Sequence, residues 1–197
     1  MQIPQAVKLE NDHVLLTPLS HDQAEDFFTI GQEPSIWSYL TPEPFSSVVD
    51  AEAWITDMSN QAAATGSVSW AVFDKRSGQL AGSTSFLDVR LPHGGVEIGF
   101  TWYGVDFQRS HVNTATKLVL FSYAFDRLGA NRVQLQTDAR NTRSQTAISR
   151  LGATKEGVLR KHKVYPNGYV RDSVMFSVTM EDWPDVQRRL RGFLTQS

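Results

Sequence analysis

The chain has 197 residues, a formal net charge of −2 and no cysteine. Without cysteine there is no disulfide framework, no thiolate zinc site and no cysteine nucleophile, and the near-neutral balance gives no general pull toward nucleic acid or an anionic membrane. With 41% hydrophobic and 11% aromatic residues the chain can bury one sizeable core, and no stretch reaches the ~20 apolar residues of a membrane span.

Residues 1–13 lack a basic region followed by an apolar run, so they do not read as a signal peptide. A soluble cytoplasmic protein with one domain over residues 1–197 is the expectation. Residues 13–19 read as a first strand. Ser20 or Asp22 can cap the helix that follows, with Phe27, Phe28 and Ile30 on its buried side. Residues 33–47 hold three prolines with Trp37, Tyr39 and Phe45, which suits a loop or short helical turns. Residues 48–64 carry Ala51, Trp54, Ile55 and Met58 on one helical face, and Gly66 ends that helix. Residues 68–74 and 79–89 form strands joined by a tight turn at 75–78.

Residues 96–103 are short, β-branched and aromatic, a strand pattern. Residues 113–128 place Leu118, Phe121, Phe125 and Leu128 at helical spacing, with Gly129 as the stop. A polar connection, residues 104–112, lies between them. A strand running directly into a helix offers free backbone N–H groups at the positive end of the helix dipole, an anion site suited to a pyrophosphate. Residues 131–138 alternate, with Val133 and Leu135 inward. Residues 141–151 form a short helix closed by Gly152. Residues 154–164 and 169–179 are strands turning at Asn167-Gly168, and a C-terminal helix starts at about residue 181. This order predicts a mixed α/β (α+β) sheet.

Several motifs carry a resemblance. Gln108-Arg109-Ser110-His111-Val112-Asn113 is similar to the Gln/Arg-x-x-Gly-x-Gly/Ala loop of the GNAT N-acetyltransferases, with His111 and Asn113 standing where small residues are usual. Gly129-Ala130-Asn131-Arg132-Val133, residues 138–144, Leu151-Gly152-Ala153, residues 156–160 and Arg171-Asp172 together resemble the RimJ/RimL-type branch of that family. The resemblance implies a GNAT fold: a central, mixed, mostly antiparallel splayed sheet of about seven strands flanked by helices. It implies acetyl-CoA as co-substrate, and as acceptor a primary amine on a peptide or protein N-terminus or on a small molecule. Direct transfer through a ternary complex follows, with no metal, no direct nucleic-acid contact, no membrane association and a homodimer as one route for the exposed sheet edges. A non-catalytic acyl-CoA-binding module and a degenerate scaffold are the alternatives, resting on His111, Asn113 and a missing tyrosine.

Acetyl transfer needs a proton acceptor for the amine and a proton donor for the departing thiolate. The resemblance assigns Glu97 as base and Ser144 as donor, because Ile148 stands at the usual tyrosine position. It assigns the backbone of Phe100, Thr101, Trp102 and Tyr103 to the pantetheine arm. Gln108, Arg109, Ser110, His111, Val112, Asn113 and Thr114 would cradle the pyrophosphate, with Lys117 adding charge. Asn141 and Ser144 would meet the pantetheine end. Asp138 is a weaker alternative base. Trp37, Tyr39, Trp54 and Trp70 are candidates to line an acceptor cleft. The basic run at residues 160–163 reads as a solvated strand edge.

Overall fold

A computed structural model of the chain describes residues 1–195. Eight strands form one sheet in the order β1-β2-β3-β4-β5-β6-β8-β7. In chain order they are β1 (Leu9–Glu10), β2 (Val14–Pro18), β3 (Val68–Asp74), β4 (Leu80–Arg90), β5 (Gly95–Tyr103), β6 (Arg132–Asp138), β7 (Thr154–Val164) and β8 (Val170–Thr179). All neighbours are antiparallel except β5 and β6. The sequence pointed to about seven strands. The extra one is β1, whose two residues are too few to show alternation; it pairs Leu9 with Leu16 and Glu10 with Leu15.

Six helices flank the sheet: α1 (Ala24–Ile30), α2 (Pro34–Trp37), α3 (Val48–Thr65), α4 (His111–Ser122), α5 (Thr142–Leu151) and α6 (Trp183–Thr195). Ser47 and Asp50 form a capping box at the start of α3, and Gly66 closes it in the left-handed region at φ 71°, where a Cβ would be strained. Ser110 caps α4, which therefore begins two residues before its apolar spacing shows; a π-helical turn, Tyr123–Arg127, ends it.

Alternation on the strands divides the interior into two cores. On one face Val96, Ile98, Val133 and Leu135 pack under α4 and α6 with Leu120, Phe121 and Leu190. On the other, Phe27, Trp37, Phe45, Trp54 and Trp102 pack under α1 and α3, with the Trp37 and Trp102 rings 4.8 Å apart. This corrects the reading of an acceptor cleft lined by tryptophans. Trp37 and Trp54 belong to the second core and Trp70 is fully buried in the first, its indole N–H donating to the Val7 carbonyl at 2.9 Å. Burial of so much aromatic surface outweighs any exposed role. Of the four, only Tyr39 keeps partial exposure.

The feature that positions the site is the brief parallel pairing of β5 with β6. Gly95, Val96 and Glu97 pair with Arg132, Val133 and Gln134, and the ladder then stops. Among the described residues, β5 pairs from Ile98 onward only with β4, and β6 pairs from Leu135 onward only with β8. A bulge steers β5 away: its register with β4 slips between Ser83 and Ser85, and Phe100 sits at φ 49°. A bulge bends and twists its own strand, so the sheet opens into a wedge with Glu97 at its apex.

Candidate active site

Glu97 belongs to the last residue pair of the parallel ladder and is 4% exposed. Alternation turns it away from α4, onto the face shared by Gln134 and Gln136. Gln134 and Gln136 donate through Nε2 to the same carboxylate oxygen, Oε2, at 3.0 and 2.7 Å. Because a carboxylate only accepts, this fixes the orientation of both amides. Their own oxygens then face cations: Gln134 accepts from Arg90 Nη2 at 2.8 Å and Gln136 from Arg171 Nη2 at 3.4 Å. The second oxygen, Oε1, lies beside Gly99, where a Cβ would come within 2.8 Å of it. Gly99 leaves that oxygen free of side-chain crowding. Neither glutamine was singled out from the sequence, although both fall on the polar half of the alternation that marked Val133 and Leu135.

The mouth of the wedge is formed by two helix N-termini. The turn after β5 runs into α4, where Ser110 Oγ accepts from the Val112 amide at 3.2 Å and donates to the Phe107 carbonyl at 2.6 Å. Other first-turn amides of α4 lack intrahelical partners by geometry and present a positive edge. Arg109 adopts φ 58°, which lets the backbone turn inward at the place where a glycine-rich loop would bend. Across the wedge, Asn141 caps α5 by accepting from the Ser144 amide at 2.9 Å. The two mouths touch: Gln108 donates to the Tyr103 carbonyl at 3.1 Å and accepts from Arg143 at 2.9 Å. Asn141→Ala is expected to lower stability by ~1 kcal/mol through the lost cap, read by denaturant unfolding of the free protein; a parallel fall in acetyl-CoA affinity separates a ligand role from capping alone.

His111 is placed differently from a residue facing phosphate. Its side chain turns back to Asp74 at 2.9 Å, with both side chains largely buried, and lies against His13. Burial alone would raise the Asp74 carboxyl, but hydrogen bonds from Ser77, Arg76 and His111 hold it below the ordinary value. The imidazole thus leaves the loop mouth clear, while the His111 backbone stays in the first turn. Outside α4, a cleft of about 310 Å³ is lined by Arg76, Arg109, Ser110, His111, Thr114, Arg150 and Phe193, a basic surface next to the helix N-terminus.

Lys117 is also corrected. Rather than reaching toward the loop mouth, it is buried at 5% exposure, and Nζ donates to Thr101 Oγ1 at 2.8 Å. That hydroxyl bonds in turn to Thr84 at 2.8 Å. Among the described residues no carboxylate pairs with it, and burial pushes its ammonium down to about 7.

Ser144 is half-buried, and Ile148 one turn further along α5 is buried without a proton to give. Asp138 is not free to act as a base: it is 1% exposed and bonds to Arg140 and Tyr169. Burial favours a higher carboxyl value there, but the Arg140 and Tyr169 bonds outweigh it and hold Asp138 low. Arg160, Lys161, His162 and Lys163 are exposed, as read from the sequence. A bulge at Lys161, φ 52°, nonetheless brings the end of this run toward the Glu97 face. Partial desolvation of its ring, which lies against Ser173, then Lys163 and Arg171, hold His162 below its usual value, and Glu97 opposes them.

Comparison with known proteins fits this geometry. The acetyltransferase (GNAT) domain family matches residues 13–154. "Putative ribosomal N-acetyltransferase YdaF" of Bacillus subtilis is 28% identical over 178 residues, covering 88% of this chain and 94% of that protein. An acetyltransferase structure from T. thermophilus superposes with a TM-score of 0.87 at 33% identity, covering 98% of this chain and 99% of the other. A GCN5-related N-acetyltransferase structure from Brucella melitensis gives 0.90 at 26% identity, covering 98% and 87%. The chain belongs to the GNAT acetyltransferase family, in its RimJ/RimL-like branch, and is an N-acetyltransferase. A more distant likeness, 0.74 at 21% identity over 86% of this chain and 93% of the other, is the self-immunity acetyltransferase MccE in complex with acetyl-CoA and AMP.

Proposed function

We propose that the chain moves an acetyl group from acetyl-CoA to a primary amine by direct attack within a ternary complex. The observation that carries this reading is the wedge, with one buried carboxylate at its apex and two helix N-termini at its mouth. Among the described residues the β5 edge from Phe100 to Tyr103 has no strand partner on the wedge side, which suits pairing with the amides of a pantetheine arm. The first turn of α4 suits the pyrophosphate.

In this reading the cofactor enters from the side of α4 and α5, and the amine from the face that carries Glu97. The amine nitrogen bonds to the thioester carbon while Glu97 takes the nitrogen's proton. As the carbon–sulfur bond breaks, Ser144 gives its hydroxyl proton to the sulfur and recovers one from solvent. Net, acetyl-CoA and the amine yield the acetamide and CoA thiol. The relative named for ribosomal acetylation makes a protein N-terminus one acceptor to try.

Calorimetric titration with acetyl-CoA, followed by thiol release with peptide and small-amine acceptors, tests the proposal. Micromolar binding with turnover supports it. Binding without turnover on any amine favours a non-catalytic module, and no binding removes the cofactor reading altogether. The basic cleft adds a sharper expectation. Arg109→Ala or Arg150→Ala should weaken acetyl-CoA about tenfold, near 1.4 kcal/mol, and leave 3′-dephospho-CoA unchanged if these guanidiniums meet the 3′-phosphate.

A further inference from the structure

We infer that Arg171 recognises a carboxylate on the acceptor, so that the amine delivered to Glu97 belongs to a molecule carrying an acid group close to its amino group. This rests on the transferase reading above and names the acceptor's chemistry within it.

The argument begins with the two arginines held by the Glu97 network. Arg90 and Arg171 each donate to the amide oxygen of one of the glutamines that bracket Glu97. Arg90 also has an acid, Asp88, at 3.3 Å. Arg171 has none: among the described residues no carboxylate lies in ion-pair range of its nitrogens. Yet Arg171 is the more deeply buried of the two, at 7% exposure. A buried guanidinium without a direct carboxylate partner carries a desolvation cost, and the Glu97 carboxylate reaches it only through the Gln136 amide.

Its hydrogen bonds show which edge is left over. Nη1 donates to the Tyr165 hydroxyl at 3.0 Å. Nη2 makes only a long contact, 3.4 Å, to a neutral amide oxygen. Nε is buried and donates to no hydrogen-bond partner among the described residues. Nε and Nη2 together form the fork that grips a carboxylate through two parallel bonds. That fork is therefore underused, one glutamine away from the carboxylate that would take the amine's proton.

Its surroundings agree. The Arg171 charge reaches His162 and Lys163 and pushes both down after the larger effect of burial, while Glu97 pushes both up, so Glu97 and Arg171 act on the same stretch of the acceptor face. Tyr165 reaches from Arg171 toward the Tyr39 carbonyl at 3.5 Å, and Arg140 stacks 3.6 Å from the Tyr169 ring centre. The tip of the β7–β8 hairpin and the segment after α2 thus border the position that an acceptor would occupy. With Glu97 on one side of Gln136 and Arg171 on the other, amine and carboxylate must be separated by few bonds. An α-amino acid satisfies this, as does a peptide whose first residue has an acidic side chain.

Two matched acceptor pairs test the inference by thiol release: alanine against alaninamide, and Asp-Ala-Ala-Ala amide against Asn-Ala-Ala-Ala amide. At least one acid member should exceed its neutral partner in kcat/KM by thirtyfold or more, mainly through KM. The pair that shows the preference says whether the acid is an α-carboxylate or a side chain. Arg171→Met should collapse that ratio to near one, while Arg171→Lys keeps part of it. Equilibrium binding of the same four compounds to wild type and to R171M, by calorimetry, reads the preference without turnover and guards against a merely slow reaction. Absence of any acid preference in rate and binding overturns the inference, and so does an equal loss on acid and neutral acceptors in R171M. If acetyl-CoA fails to bind while the acid acceptors still bind through Arg171, it is the transferase reading that falls.

Discussion

Glu97→Gln is expected to lower kcat by about 10²–10⁴, the usual contribution of a positioned general base, with acetyl-CoA affinity unchanged. The substitution is close to isosteric. The two glutamine amides that donate to Oε2 can donate equally to the new amide oxygen, so the network and the fold persist. What disappears is the free oxygen beside Gly99, now an NH₂ that cannot take a proton. Steady-state kinetics at saturating acetyl-CoA, with a calorimetric titration of the same variant, separate the effects. A kcat within threefold of wild type would remove Glu97 as base. A large loss of acetyl-CoA affinity would instead mean that the apex supports cofactor binding. Gly99→Ala gives an independent approach to the same oxygen, since its Cβ would press within 2.8 Å of Oε1 and of Leu87 Cδ1. A fall in kcat there, without loss of fold, points to the same atom.

The wedge could be read from the sequence only in outline. Strand alternation in residues 131–138 and the aromatic run in 96–103 announced β6 and β5, because each strand has one face in the apolar core. Nothing local announces that their pairing stops after Glu97. That depends on the Phe100 bulge and on the register of β4 against β5, both tertiary facts. Capping was legible for the same reason that periodicity was: Asn141 lies next to the backbone it satisfies. The basic residues were not. On paper His111 and Lys117 flank the phosphate loop and invite a phosphate role. In the fold, Asp74, 37 residues away in the chain, draws His111 aside, and helical rotation aims Lys117 at β5. Arg171 appeared in the sequence only as part of a motif. That no described carboxylate pairs with it directly is a property of what surrounds it, and a sequence shows neighbours only along the chain.

Lys117→Met is expected to make the protein more stable at pH 6.5, on the order of 2–4 kcal/mol, with the gain fading as pH rises toward 10. A free lysine titrates near 10.4, whereas burial brings Lys117 down to about 7 in the folded chain. Below that value the fold must carry a desolvated ammonium, and the penalty is complete. Between about 7 and 10.4 the unfolded chain binds more protons than the folded one, so wild-type stability rises with pH across that window. Above it both states are neutral and the penalty is gone. Methionine has a similar unbranched stem and no charge, so the variant should lose this pH dependence. Urea unfolding of both proteins at pH 6.5 and 9.5 checks it. A variant no more stable at pH 6.5, or a gain that does not shrink by 9.5, would defeat the argument. The same substitution should cost turnover. The lysine bonds Thr101, on the strand edge proposed for the pantetheine arm, so its removal loses the side-chain bond that ties α4 to that edge. Stability lost at a site of this kind is characteristic of functional placement. Full turnover in K117M would reduce the lysine to a polar filler between α4 and β5.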